Sequence, residues 1–189
     1  MAPKVRITKD DIINSALELV RESGAESINA RSIAAYLSCS TQPIFSNFSS
    51  MDELFKTVIL AAYNLYLNFI HREVETEKYP KYKAYGMAYV RFAKEERELF
   101  KLLFMRDRTG EDTSPSPDFN ESVEIISNSC GVSRSTAELM HLELWTFVHG
   151  IGTMLATSFL SLDMELISDM LSDVYLGIRE RHMMVEGEK

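Results

Sequence analysis

A chain of 189 residues has room for one medium domain, or for a small domain joined to a larger one. With 46% apolar and 25% charged residues, eight glycines and five prolines, it is no low-complexity or collagen-like chain, and long helices are favoured over many short strands. The net charge of −8 speaks against nucleic acid, yet residues 1–50 hold five of the 20 basic and five of the 28 acidic side chains, so the deficit lies entirely in residues 51–189. A neutral head on an acidic body can still meet phosphates if the body points away.

Cys39 and Cys130 lie far apart with no metal-ligand spacing, and the reading is of two free thiols. No signal peptide and no apolar run of about 20 residues is seen, which predicts a cytoplasmic protein with no membrane partner.

In chain order, Thr8 and Asp11 form the ends of a capping box, with Ile7 and Ile12 at staple positions. Ile12, Ile13, Ala16, Leu17 and Val20 make an amphipathic stripe, and Gly24 stops it, so a first helix is expected over 9–23. Asn29 caps a second helix carrying Ile33, Ala34 and Leu37. Ser38, Cys39 and Ser40 make a small-residue turn, and Ser40 is expected to cap a third helix that tolerates Pro43 in its first turn and ends at Phe48. Ser50 and Glu53 begin a fourth, long helix to about Glu77. Helices are then expected at 81–95, 96–105, 118–129, 134–160 and 163–184, with 106–118 as an exposed loop. The expected fold is all-α with about nine helices. It divides into a helix-turn-helix domain at 1–50 and a helical effector-binding and dimerisation domain at 51–189.

Two short helices on a tight turn, braced by a longer one, fit a DNA-binding helix-turn-helix. Ile44 and Phe48 supply the inward side of its second helix, and Thr41, Gln42, Ser46 and Asn47 the outward side. The stretch Ile33 to Phe48, IAAYLSCSTQPIFSNF, resembles the TetR-family helix-turn-helix, written I-A-x-x-A-G-V-S-x-x-x-L-Y-x-Y-F. Ile33, Ala34, Ser40, Ile44 and Phe48 fall in register, and Asp52, Glu53 and Leu54 match the acidic start of the family's fourth helix. The resemblance implies that Asn29 contacts a phosphate and that Arg31 holds the backbone or a groove edge. Ser40, Thr41 and Gln42 then lie at the start of the recognition helix, where the helix dipole favours a phosphate. Gln42 can read adenine, Pro43 and Phe45 can touch a thymine methyl, and Ser46 and Asn47 complete the face. Lys4 and Arg6 would form an arm reaching the duplex. The chain departs from the pattern at Ser38 for the turn glycine, Phe45 for a phosphate-reaching tyrosine, and Met51 near the usual lysine; its recognition helix has no Lys or Arg. These departures predict modest affinity with a shallow salt slope.

The helix at 134–160 is apolar all round, which predicts burial on more than one side, the second being another copy. Phe147, Ile151, Leu155 and Phe159, with Ile167, Met170, Leu171, Val174 and Ile178 of the last helix, are the expected homodimer interface. Trp145-Thr146-Phe147-Val148-His149-Gly150 resembles the Trp…His-Gly signature of one class of TetR C-terminal domain, and Gly150 and Gly152 would allow close helix approach. That resemblance also implies a pocket for a small, largely apolar effector. Its candidate lining is Tyr85, Met87, Tyr89, Phe92, Phe100, Phe104, Met140, His141, Trp145, Phe147, His149 and Met154. His141 and His149 read as satisfied core histidines, and neither metal nor cofactor is expected. No Gly-rich phosphate loop or G-x-S-x-G elbow occurs, so no enzyme is expected. The functional expectation is a repressor released from a palindromic operator by an effector. The alternative is a dimeric interaction protein of the same fold that has lost or weakened DNA binding.

Overall fold

The structure is a computed structural model that describes residues 7–110 and 117–187. Among these residues it is all-helical: α1 (Lys9–Ser23), α2 (Ala30–Tyr36), α3 (Gln42–Asn47), α4 (Met51–Glu75), α5 (Lys81–Glu95), α6 (Arg97–Phe104), α7 (Pro117–Cys130), α8 (Arg134–Ala156) and α9 (Met164–Gly187), with a 3-10 turn at Ala25–Ser27. The chain forms two compact units. One takes the residues up to Asn68 together with Glu96–Arg106; the other takes Phe69–Glu95 and the residues from Asp107 on. The unit around the helix-turn-helix therefore runs past residue 50, through most of α4 to Asn68, and includes α6. No described helix is long and apolar enough to cross a membrane.

Local chemistry sets most boundaries. The Thr8 hydroxyl takes the Asp11 amide at 3.1 Å while the Asp11 carboxylate takes the Thr8 amide at 2.8 Å, so two orphan donors are satisfied reciprocally. Hydrogen bonds from the Thr8 backbone and side chain hold the Asp11 carboxyl below its usual pKa. At α4 the Ser50 hydroxyl takes the Glu53 amide at 3.1 Å, but Glu53 returns to the Ser49 amide and hydroxyl, one residue earlier than a standard box. Thr41, not Ser40, precedes α3, and it makes no side-chain cap bond. Its own backbone is already helical (φ −70°, ψ −14°), not the extended conformation that capping residues usually adopt.

Two helices end on a serine where glycine would cost less. After α2, Ser38 adopts φ 52° while its amide bonds to Ala35 O and the Cys39 amide to Ala34 O. After α8, Ser158 adopts φ 58° with the same pair of bonds, to Leu155 and Met154. Both are Schellman closures. The second ends α8 at Ala156, four residues short of the expected 160, and leaves Phe159 75% exposed.

In the first unit α1 buries Ile12, Ala16, Leu17 and Val20 and packs against α2, α3 and α6. Arg21 grips Glu96 through two bonds of 2.8 Å, a fork that ties α1 to the start of α6 across 75 residues of sequence. In the second unit α8 lies against α5, α7 and α9. Tyr82 meets His141 and Tyr89 meets His149, so α5 and α8 run parallel and in register. A Cβ at Gly86 would come within 2.9 Å of Leu171 Cδ2, so Gly86 provides a close approach in this unit. A Cβ at Gly150 would meet open space, contrary to the close approach expected there.

Candidate functional site

Within the first unit, α2, a five-residue turn and α3 form the helix-turn-helix. Ile33, Ala34, Ile44 and Phe48 are buried, which fixes the roll of α3 and turns Gln42, Phe45 and Ser46 outward. Phe45 is 55% exposed, an aromatic ring with no burial to explain it. Thr41, Pro43 and Asn47 are half-buried, and Ser40, Asn29 and Arg31 are exposed.

Side-chain bonding sorts these residues. The Ser46 hydroxyl donates to Gln42 O at 2.9 Å and the Asn47 amide gives one of its two N–H groups to Pro43 O at 2.8 Å, so both side chains bond back to the helix itself. Asn29 Oδ1 accepts the Arg31 and Ser32 amides at 3.1 and 2.9 Å, which makes it the cap of α2. Among the described residues the Gln42 amide and the Arg31 guanidinium have no partner, so both are available to a ligand. With six residues, α3 sums few peptide dipoles, so the dipole attraction expected at Thr41 and Gln42 is small. Lys4 and Arg6 lie outside the described residues.

Lys9 was not legible as part of this face. Its ammonium sits 4.6 Å from the centre of the Phe48 ring and 3.4 Å from Glu53 Oε1, a cation held where α3 passes into α4. Nothing in the local pattern around Lys9 points to residues 48 and 53; the packing of α1 brings them together.

In the second unit four of the ten expected pocket residues are packed solid. Met87, Phe92 and Met140 are fully buried and Tyr89 is 4% exposed. Tyr85, His141, Phe147, His149 and Met154 are half-buried, and Trp145 is exposed and stacked on His149. Phe100 and Phe104 belong to the other unit, where Phe104 packs edge-on to Tyr66. Two clefts open on the second unit, and neither is lined by any of these residues.

Of the interface residues, Ile151, Leu155, Ile167 and Leu171 are at most 7% exposed within a single chain, so they have no surface to offer a second copy. Met170, Val174, Ile178 and Phe147 are half-buried, and Phe159 is exposed. The apolar side chains left outside are Leu139, Leu142 and Trp145 on α8 and Leu166, Leu176, Met183 and Met184 on α9.

The two Tyr–His pairs are 2.9 and 2.8 Å long. Burial pushes both tyrosine pKa values up and both histidine pKa values below the usual 6.5, so all four groups are neutral at pH 7. In the unfolded chain each imidazole takes up its proton at a higher pH than in the folded chain. The stability these histidines contribute is thus complete above about pH 6.5 and is lost as pH falls toward their folded values. The carboxylates held below the usual range (Asp11, Glu53, Glu121) titrate lower, outside that window. We expect the melting temperature to fall between pH 7.5 and 5.5, and His141→Gln to flatten the slope. A slope unchanged in that variant would remove His141 from the account. Among the described residues no group of three His, Cys, Asp or Glu side chains can hold a metal, and Cys39 and Cys130 are free thiols.

A small buried-face helix-turn-helix on a separate helical body defines a class of two-part, all-helical proteins. Residues 82–174 match the family model of the tetracyclin repressor-like C-terminal domain. A TetR-like transcriptional regulator from Rhodococcus sp. RHA1 has a similar fold, with a TM-score of 0.67 at 14% identity, over 93% of this chain and 97% of that one. A search of curated protein sequences found no match. Residues 82–174 are thus similar to the tetracyclin repressor-like C-terminal domain, and the Rhodococcus regulator shows a likeness of fold.

Proposed function

We propose that the chain is a DNA-binding transcription regulator, a cytoplasmic homodimer that represses from a palindromic operator and is released by a small, largely apolar effector. The observation that carries the reading is the sidedness of α3. Ile44 and Phe48 face inward, and the partner-free Gln42 is exposed alongside Arg31 at the start of α2. Gln42 suits a bidentate contact with adenine, and Arg31 and Lys9 suit phosphates. One short helix reads few bases, so two heads on a two-fold axis are needed, with half-sites about one helical turn apart. The exposed leucines of α8 and α9 and Trp145 are the surface available to a second copy. Effector release needs only a difference in effector affinity between two conformations of the dimer. The domain match and the TetR-like neighbour support this reading.

A second reading, a dimeric interaction protein with weakened DNA binding, draws on the back-bonded side chains of Ser46 and Asn47 and on the missing hydroxyl of Phe45. Selection from a random duplex pool at low and moderate salt separates the two. The regulator reading expects an enriched palindrome, with Arg31→Ala weakening all sequences and Gln42→Ala relaxing one position by about 1–3 kcal/mol. A folded dimer that enriches nothing overturns it in favour of the second reading.

A further inference from the structure

The last turns of α4, the turn after it and α5 enclose a cleft of about 280 Å³ that the DNA reading does not use. Its apolar wall is Phe69, whose ring meets Phe92 edge-on at 5.3 Å and is anchored by it. Three cations line it, Arg72, Lys78 and Arg91, against two carboxylates, Glu73 and Glu95.

These charges are not equivalent. The Glu73 carboxylate is 7% exposed and receives Arg91 Nε at 3.0 Å; Arg91 also reaches Glu95 at 3.8 Å. A buried carboxylate needs such a partner, so Arg91 is committed. Lys78, which follows Glu77 at φ 52°, lines the cleft with its ammonium 5.0 Å from the centre of the Tyr79 ring. The Thr76 hydroxyl braces that turn, donating to Glu73 O at 2.7 Å and accepting the Lys78 amide at 3.3 Å. Tyr79 and then the charge of Glu73 raise the Lys78 pKa, while the charge of Arg91 opposes them, so these groups lie within one another's field. Arg72 is exposed and has no partner among the described residues.

We infer that this cleft binds a small aromatic monocarboxylate, its carboxylate between Arg72 and Lys78 and its ring against Phe69. The cleft holds one positive charge in excess, which suits a monoanion, whereas Glu73 and Glu95 repel a phosphate dianion. The wall of Phe69 favours a ring over a fully hydrated ion. The site lies wholly within the second unit and its failure would leave the DNA reading standing.

The test is isothermal titration of the full chain with sodium benzoate at low ionic strength. We expect saturable binding that weakens with added salt, and about fivefold weaker binding in Arg72→Gln and in Lys78→Gln. Both side chains are exposed, so both variants should keep the parent's far-UV circular dichroism. Acetate, without a ring, and benzyl alcohol, without a charge, should each bind more weakly than benzoate. The inference is overturned by non-saturable benzoate heats, by benzoate affinity unchanged in both variants, or by benzamidine binding in place of benzoate.

Discussion

Ile44→Ala should destabilise the first unit by about 2–5 kcal/mol and remove operator capture altogether. Ile44 is fully buried and is the one buried residue within the six of α3. A helix so short does not hold itself together, because helix nucleation is costly and most helical stability in proteins comes from packing. Taking away its apolar anchor leaves both a cavity and an unmoored reading helix. Phe45→Ala, one position along and facing outward, should change stability by no more than about 0.5 kcal/mol. Urea unfolding of both variants, followed by far-UV circular dichroism, checks the pair. Equal losses from the two would mean that α3 is not rolled as described.

Phe92→Ala should cost the second unit about 3–5 kcal/mol. Phe92 of α5 is fully buried and makes an edge-on contact with Phe69 of α4. Such a pair adds about 0.5–1.5 kcal/mol to the burial of the ring itself. Trp145, the only tryptophan of the chain, lies in the same unit, so its fluorescence reports this transition directly. A midpoint within error of the parent's would show that Phe92 is not packed as described. Phe92→Leu, which keeps most of the apolar volume, should recover much of the loss.

The helix starts were legible because their causes are local. Thr8 with Asp11, Asn29, and Ser133 before α8 each satisfy amides within three residues, and α1 runs over the expected 9–23. The inward side of α3 was equally plain, since Ile44 and Phe48 are four apart and both are buried. The closures on Ser38 and Ser158 were harder. Serine does not announce a left-handed turn as glycine does, so the sequence pattern of α8 runs on to 160.

Apolar periodicity showed that α8 is covered on several sides but not by what. A leucine buried by its own chain and one buried by another copy look alike in a sequence. The structure assigns Ile151 and Leu155 to the interior of the second unit and leaves Leu139 and Leu142 outside. The same limit applies to the bonds that span the sequence. Arg21 with Glu96 and Lys9 with Phe48 and Glu53 depend on the packing of helices remote in the chain, and the cleft where Arg72, Lys78 and Arg91 gather depends on α5 meeting the end of α4. Sequence alone determined where this chain becomes helical and which faces are apolar, because capping and periodicity act over a few residues. Only the tertiary structure decided which of those faces meet and which charges are brought together, because those contacts are selected by the packing of the whole unit.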